Sequence, residues 1–122
     1  MMTSSIHSIT FDCADPARLA AFWAAAVSYV VEDADDEGAS VVAPSGSSPR
    51  LLFLKVPEGK SVKNRVHLDL RPANSMQAEV ERLEKLGASV LRFVEEDGSR
   101  FTVMRDPEGN EFCVERGPQD MR

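Results

Sequence analysis

The chain has 122 residues, 43% of them hydrophobic and 28% charged, and a formal net charge of -6. That length suits one domain able to bury most of the apolar surface its unfolded form exposes, and the composition excludes the low-hydrophobicity, high-charge pattern of a disordered chain. The acidic balance excludes a reader of phosphate backbones, and no window approaches the run of about 18 apolar residues that a membrane span requires, so neither a nucleic-acid nor a membrane partner is expected.

The first predicted element is a strand over residues 6–13, with Ile9, Phe11 and Cys13 on one face and Ser8, Thr10 and Asp12 on the other. Asp15 is placed to cap a helix, Pro16 suits its first turn, and Leu19, Phe22, Trp23 and Ala26 recur at helical spacing, predicting an apolar stripe that packs on a sheet. Three short strands follow, over residues 29–32, 39–43 and 51–56, separated by an acidic turn and by Ser45-Gly46-Ser47-Ser48-Pro49. The acidic run 32–37 lacks the alternating oxygen donors of a calcium loop and reads as a solvated turn.

A polar connector over residues 57–64 leads to a strand in which Val66, Leu68 and Leu70 alternate with His67, Asp69 and Arg71. Asn74 or Ser75 caps the next helix, whose stripe is Met76, Val80, Leu83 and Leu86 and whose stop is Gly87. Strands over residues 88–94, 101–105 and 111–115 complete the pattern, the last two joined by Asp106-Pro107-Glu108-Gly109-Asn110. The fold class is therefore α+β: two tandem βαβββ modules, about 6–56 and 64–116, within one domain spanning 1–122, forming a cupped mixed or antiparallel sheet with helices outside. The two cysteines, Cys13 and Cys113, show no CxxC spacing, and the opening residues show no basic stretch followed by an apolar one, so a reduced, cytoplasmic setting is expected.

Four segments, Phe11-Asp12-Cys13-Ala14-Asp15-Pro16, Phe22-Trp23, Asn64-Arg65-Val66-His67-Leu68-Asp69-Leu70 and Asp106-Pro107-Glu108-Gly109-Asn110-Glu111-Phe112-Cys113, resemble the glyoxalase-like branch of the vicinal oxygen chelate superfamily, which also holds bleomycin resistance proteins and dihydroxybiphenyl dioxygenases. The resemblance implies metal ligands drawn from the first and last strands of each module. His67 matches one such position. In module one the register puts Ser8 there, with His7 one residue away and pointing to the other face. The stretch Leu51-Leu52-Phe53-Leu54 supplies no carboxylate, and Cys113 stands where the resemblance implies a glutamate. His67, Cys113 and His7 are thus the only metal candidates, at most two of them usable together, and no cofactor is expected.

His67, Asp69 and Arg71 share one strand face and form the leading ligand-binding cluster, with Ser8, Thr10, Asp12 and Cys113 as further candidates. His67 is the candidate catalytic group, its titration tuned by Asp69; the competing reading is a structural strand in which Asp69 and Arg71 satisfy each other. Phe22 and Trp23 are assigned to the core. The expected function is metal-independent small-molecule binding of a drug-binding or resistance-like kind, in a homodimer as the resemblance implies, with cationic ligands as one version. The alternatives are a lyase, isomerase or dioxygenase using His67, and an accessory subunit of another chain.

Overall fold

A computed structural model describes residues 2–121. The chain divides into two compact units, Met1–Gly59 and Lys60–Arg122. Each contains a strand, a helix and three further strands, and the strands form an open four-stranded sheet.

In the first unit, β1 (Ser8–Cys13), α1 (Pro16–Val27), β2 (Val30–Ala34), β3 (Gly38–Val42) and β4 (Arg50–Lys55) give the sheet order β1-β4-β3-β2. The β1–β4 pair is parallel and the other pairs are antiparallel, so the sheet is mixed. The Asp15 carboxylate accepts the Arg18 N–H at 3.2 Å, satisfying one of the free donors of the helix start, and Pro16 occupies a first-turn position where its missing N–H costs nothing. The predicted stripe is the buried one: Leu19 and Trp23 are fully buried, and Phe22 and Ala26 nearly so. Phe11 meets Trp23 at a ring-centroid distance of 5.6 Å and Phe53 at 5.2 Å, which fixes the Ile9, Phe11 and Cys13 face of β1 toward the helix. Burial of a side chain such as Phe53 contributes roughly 2–3 kcal/mol.

The second unit repeats the plan. Its elements are β5 (Asp69–Leu70), α2 (Met76–Leu86), β6 (Ser89–Glu96), β7 (Ser99–Arg105) and β8 (Glu111–Glu115), in the sheet order β5-β8-β7-β6, again with a parallel β5–β8 pair and antiparallel partners elsewhere. A register irregularity falls in the second strand of both modules, between Val31 and Asp33 and between Val90 and Arg92. The permuted strand order and the shared irregularity make the chain two tandem βαβββ modules.

Two expectations change, and one open alternative is decided. The strand expected from Val66 onward is regular only at Asp69–Leu70, and Val66 is 77% exposed. An edge strand with one neighbour holds only as far as that neighbour reaches: the Leu68 carbonyl accepts the Cys113 N–H at 2.9 Å, while at the start of β8 the Glu111 carboxylate accepts the Asn64 N–H at 2.9 Å. The α2 stripe narrows to Val80 and Leu83, with Leu86 38% exposed and Met76 half-buried. Of the two capping candidates Ser75 is the cap, its hydroxyl accepting the Ala78 N–H at 3.1 Å.

Two devices hold the second unit's loops. The buried Asp106 carboxylate accepts the Glu108 and Asn110 N–H groups and the Asn110 side-chain amide, which locks the Asp-Pro-Glu-Gly-Asn turn. At the C-terminal end Asp120 Oδ2 accepts the N–H groups of Met76 and Gly117, both at 2.8 Å, tying a short 3-10 turn, Pro118–Asp120, to the start of α2. These two bonds hold the Asp120 carboxyl below the usual carboxylate range. Gly117 is required there, because a Cβ would lie 2.2 Å from the Asn74 carbonyl oxygen.

Candidate functional site

The site forms on the second unit's sheet. In β8 the core takes Phe112 and Val114, which are 1% and 0% exposed, so alternation turns Cys113 and Glu115 to the opposite face. Parallel pairing sets Asp69 against Cys113 and Leu70 against Val114, which carries Arg71 alongside Glu115. A pocket of about 340 Å³ lies over this face, lined by His67, Asp69, Arg71, Phe101, Cys113 and Glu115 together with Ser99, Arg100, Arg116 and Met121. The volume is in the range of small-molecule sites.

His67 Nδ1 lies 3.1 Å from Asp69 Oδ1, and Cys113 Sγ lies 3.8 Å from the same nitrogen. An ionised carboxylate only accepts, so Nδ1 carries the proton and donates to Asp69, leaving Nε2 with its lone pair. Cys113 therefore has no base in His67: the nitrogen beside it already holds a hydrogen. Burial pushes the Cys113 thiol pKa up and the Asp69 charge pushes it further, against weaker attraction from Lys63 and Arg92. Cys113 is a neutral thiol in the pocket wall and not an activated nucleophile.

Arg71 does not pair with Asp69, as the structural-strand reading expected. It donates to Glu115 Oε1 at 3.0 Å across the strand pair. Adjacent strands lie about 4.8 Å apart, whereas residues two apart on one strand are separated by about 6.6 Å, so the cross-strand partner wins. The structure thus brings His67, Asp69, Arg71 and Cys113 together. Ser8, Thr10 and Asp12 lie on the helix-free face of β1 in the first unit, where Thr10 and Asp12 are exposed and the residues paired with them are Leu52 and Leu54. His7 is exposed and precedes β1. The sequence reading missed Phe101, Glu115, Arg100, Arg116 and Met121. One of these was recoverable: Glu115 lies two residues beyond Cys113 on the same face.

Residues 8–115 match the family model of the glyoxalase-like domain, and the chain belongs to that family. No curated protein matches it in sequence. Among solved structures it is similar to the fosfomycin resistance protein FosX from Listeria monocytogenes, complexed with Mn(II) and dihydroxypropylphosphonic acid, with a TM-score of 0.73 at 13% identity over 98% of this chain and 94% of that one. It is similar to a glyoxalase-related enzyme from Fulvimarina pelagi, with a TM-score of 0.70 at 16% identity over 93% and 88% of the two chains. It also resembles the bleomycin-binding protein of Streptomyces verticillus, complexed with copper(II)-bleomycin, with a TM-score of 0.61 at 15% identity over 96% and 99%. At these identities the likeness is one of fold. Among the described residues no helix is long and apolar enough to cross a membrane.

Asp69 adds a third donor to the two that the sequence reading counted: single ligand atoms of His67, Asp69 and Cys113 lie within 4.8 Å of one another. A nitrogen, oxygen and sulfur set is a poor match for manganese-class cations, which favour oxygen and nitrogen donors, and it fits a zinc-class ion, which takes His, carboxylate and Cys with a fourth position open. Such an ion, when bound, would supply Lewis acidity toward a pocket ligand.

Proposed function

We propose that the chain is a small-molecule binding protein of the glyoxalase-like type, its ligand held in the second unit's pocket. The observation that carries the reading is the convergence of His67, Asp69, Arg71 and Cys113, from two strands, on one cavity of about 340 Å³ with Phe101 in its wall. Such a pocket supplies an apolar surface and a few convergent polar groups, the usual make-up of a small-molecule site. The reading is metal-independent: the pocket's side chains grip a ligand directly, and Cys113, held as a thiol, must lose its proton before it ligates an ion. The drug-binding or resistance-like version, in a cytoplasmic homodimer, follows from the family resemblance and from the bleomycin-binding neighbour. Thermal-shift screening of a chemically diverse library tests the reading. Ligands that stabilise the wild type should lose affinity in both His67→Ala and Arg71→Ala, whose side chains are 40% and 74% exposed and so removable without opening the core. Ligands unaffected by either substitution would place binding elsewhere.

A second reading, an enzyme using His67, draws on one observation: Asp69 holds Nδ1 and leaves Nε2 free to take a proton. Turnover of a hemithioacetal or cleavage of a catechol by wild type, abolished in His67→Ala, would establish it.

A further inference from the structure

The net charge of -6 suggests a preference for cations, and the second unit's pocket does not share that excess of acid. Residues 1–59 carry eight acidic and three basic side chains, whereas residues 60–122 carry twelve and eleven, so most of the net negative charge belongs to the first unit. Within the pocket wall stand three arginines, Arg71, Arg100 and Arg116, beside His67, against two carboxylates, Asp69 and Glu115.

The carboxylates are already committed. Glu115 accepts from Arg71, Asp69 accepts from His67, and Glu95, outside the wall, is 2.6 Å from Arg100. Arg116 differs from the other two arginines: among the described residues it forms no ion pair, and its influence on Asp120 is only longer-range attraction. Asp120 Oδ2 accepts two backbone N–H groups, and no hydrogen bond joins Asp120 to Arg116 among the described residues. Arg116 is half-buried, and its donors are uncommitted among the described residues. Phe101 and Met121 stand in the same pocket and give it an apolar side.

We infer that this pocket selects organic anions, small molecules with an apolar aromatic or aliphatic body on Phe101 and Met121 and a carboxylate or similar oxyanion head on Arg116. The inference rests on the small-molecule reading above and sets its ligand class, reversing the cationic version expected from whole-chain charge. A guanidinium with free parallel donors matches an oxyanion in two simultaneous hydrogen bonds, which a neutral amide makes more weakly and an ammonium cannot make.

The test compares three probes of one shape on the full chain by ligand-observed NMR titration into the millimolar range: phenylacetate, phenylacetamide and phenethylamine. Phenylacetate should bind roughly tenfold more tightly than phenylacetamide, as expected for one charge-assisted contact, and phenethylamine should bind least. Arg116→Ala should remove the preference for the acid, so that phenylacetate and phenylacetamide bind alike, and raising the salt concentration should weaken the acid selectively in the wild type. Equal binding of acid and amide, or tighter binding of the amine, would overturn the anion inference and leave the pocket reading standing. Binding of all three unchanged by His67→Ala and Arg71→Ala would overturn the pocket reading, and the anion inference with it.

Discussion

Replacing Glu111 by glutamine tests how the second unit holds the connector that leads into His67. Glu111 is 9% exposed; its carboxylate accepts the Asn64 N–H at 2.9 Å and pairs with Lys60 Nζ at 3.2 Å. The backbone bond from Asn64 is the main cause that draws its pKa from an ordinary 4.5 down to about 2, opposed by burial and aided by Lys60. A carboxyl so lowered stabilises the fold in full above its unfolded value and loses that contribution as pH falls through the folded one. The interval corresponds to roughly 3 kcal/mol as a ceiling. Glutamine keeps an acceptor for Asn64 and loses only the charge, so Glu111→Gln should cost about 1–2 kcal/mol at neutral pH. Urea denaturation of both proteins from pH 7 to pH 2 measures this. Asp120 is also held below the usual carboxylate range by its backbone bonds, so the difference between the two proteins is the informative quantity. That difference should shrink steadily below pH 4.5 and vanish near pH 2. A difference independent of pH, or one that grows as pH falls, would refute the carboxylate lock.

Gly117→Ala should destabilise the chain by roughly 2–3 kcal/mol in the same denaturation assay, because its Cβ would collide with the Asn74 carbonyl and pull the C-terminal turn from α2; an unchanged midpoint would contradict this packing. Cys113 should alkylate far more slowly than an unhindered thiol at pH 8, followed by mass spectrometry, since burial and Asp69 keep it protonated; labelling at the rate of free cysteine would show an activated thiolate instead. Chelator treatment should leave pocket-ligand affinity within about twofold, and a large loss reversed by zinc would move the account to the ion-dependent form that His67, Asp69 and Cys113 can support.

The first module was the more legible in sequence, because its strand and helix carry clean periods: Ile9, Phe11 and Cys13 face the helix, and the spacing of Leu19, Phe22, Trp23 and Ala26 is that of the buried stripe. The strand before α2 was over-read, because alternation in Val66, Leu68 and Leu70 reports compatibility with a strand and not the presence of a neighbour to pair with. The same alternation did place His67, Asp69 and Arg71 on one wall of the pocket. Their partners were not legible: which carboxylate Arg71 takes depends on the β5–β8 register, and the approach of Arg100, Arg116 and Met121 to the pocket depends on tertiary packing. Whole-chain charge says little about the pocket for a related reason, since it sums two units whose balances differ.

The central claim, that the second unit's pocket is the ligand site, is tested most directly by backbone amide NMR of the full chain during titration with a screened ligand. The account predicts shifts concentrated at His67, Asp69 and Arg71, at Arg100 and Phe101, and at Cys113, Glu115 and Arg116. Saturable shifts confined to residues 1–59, with those positions silent, would contradict it.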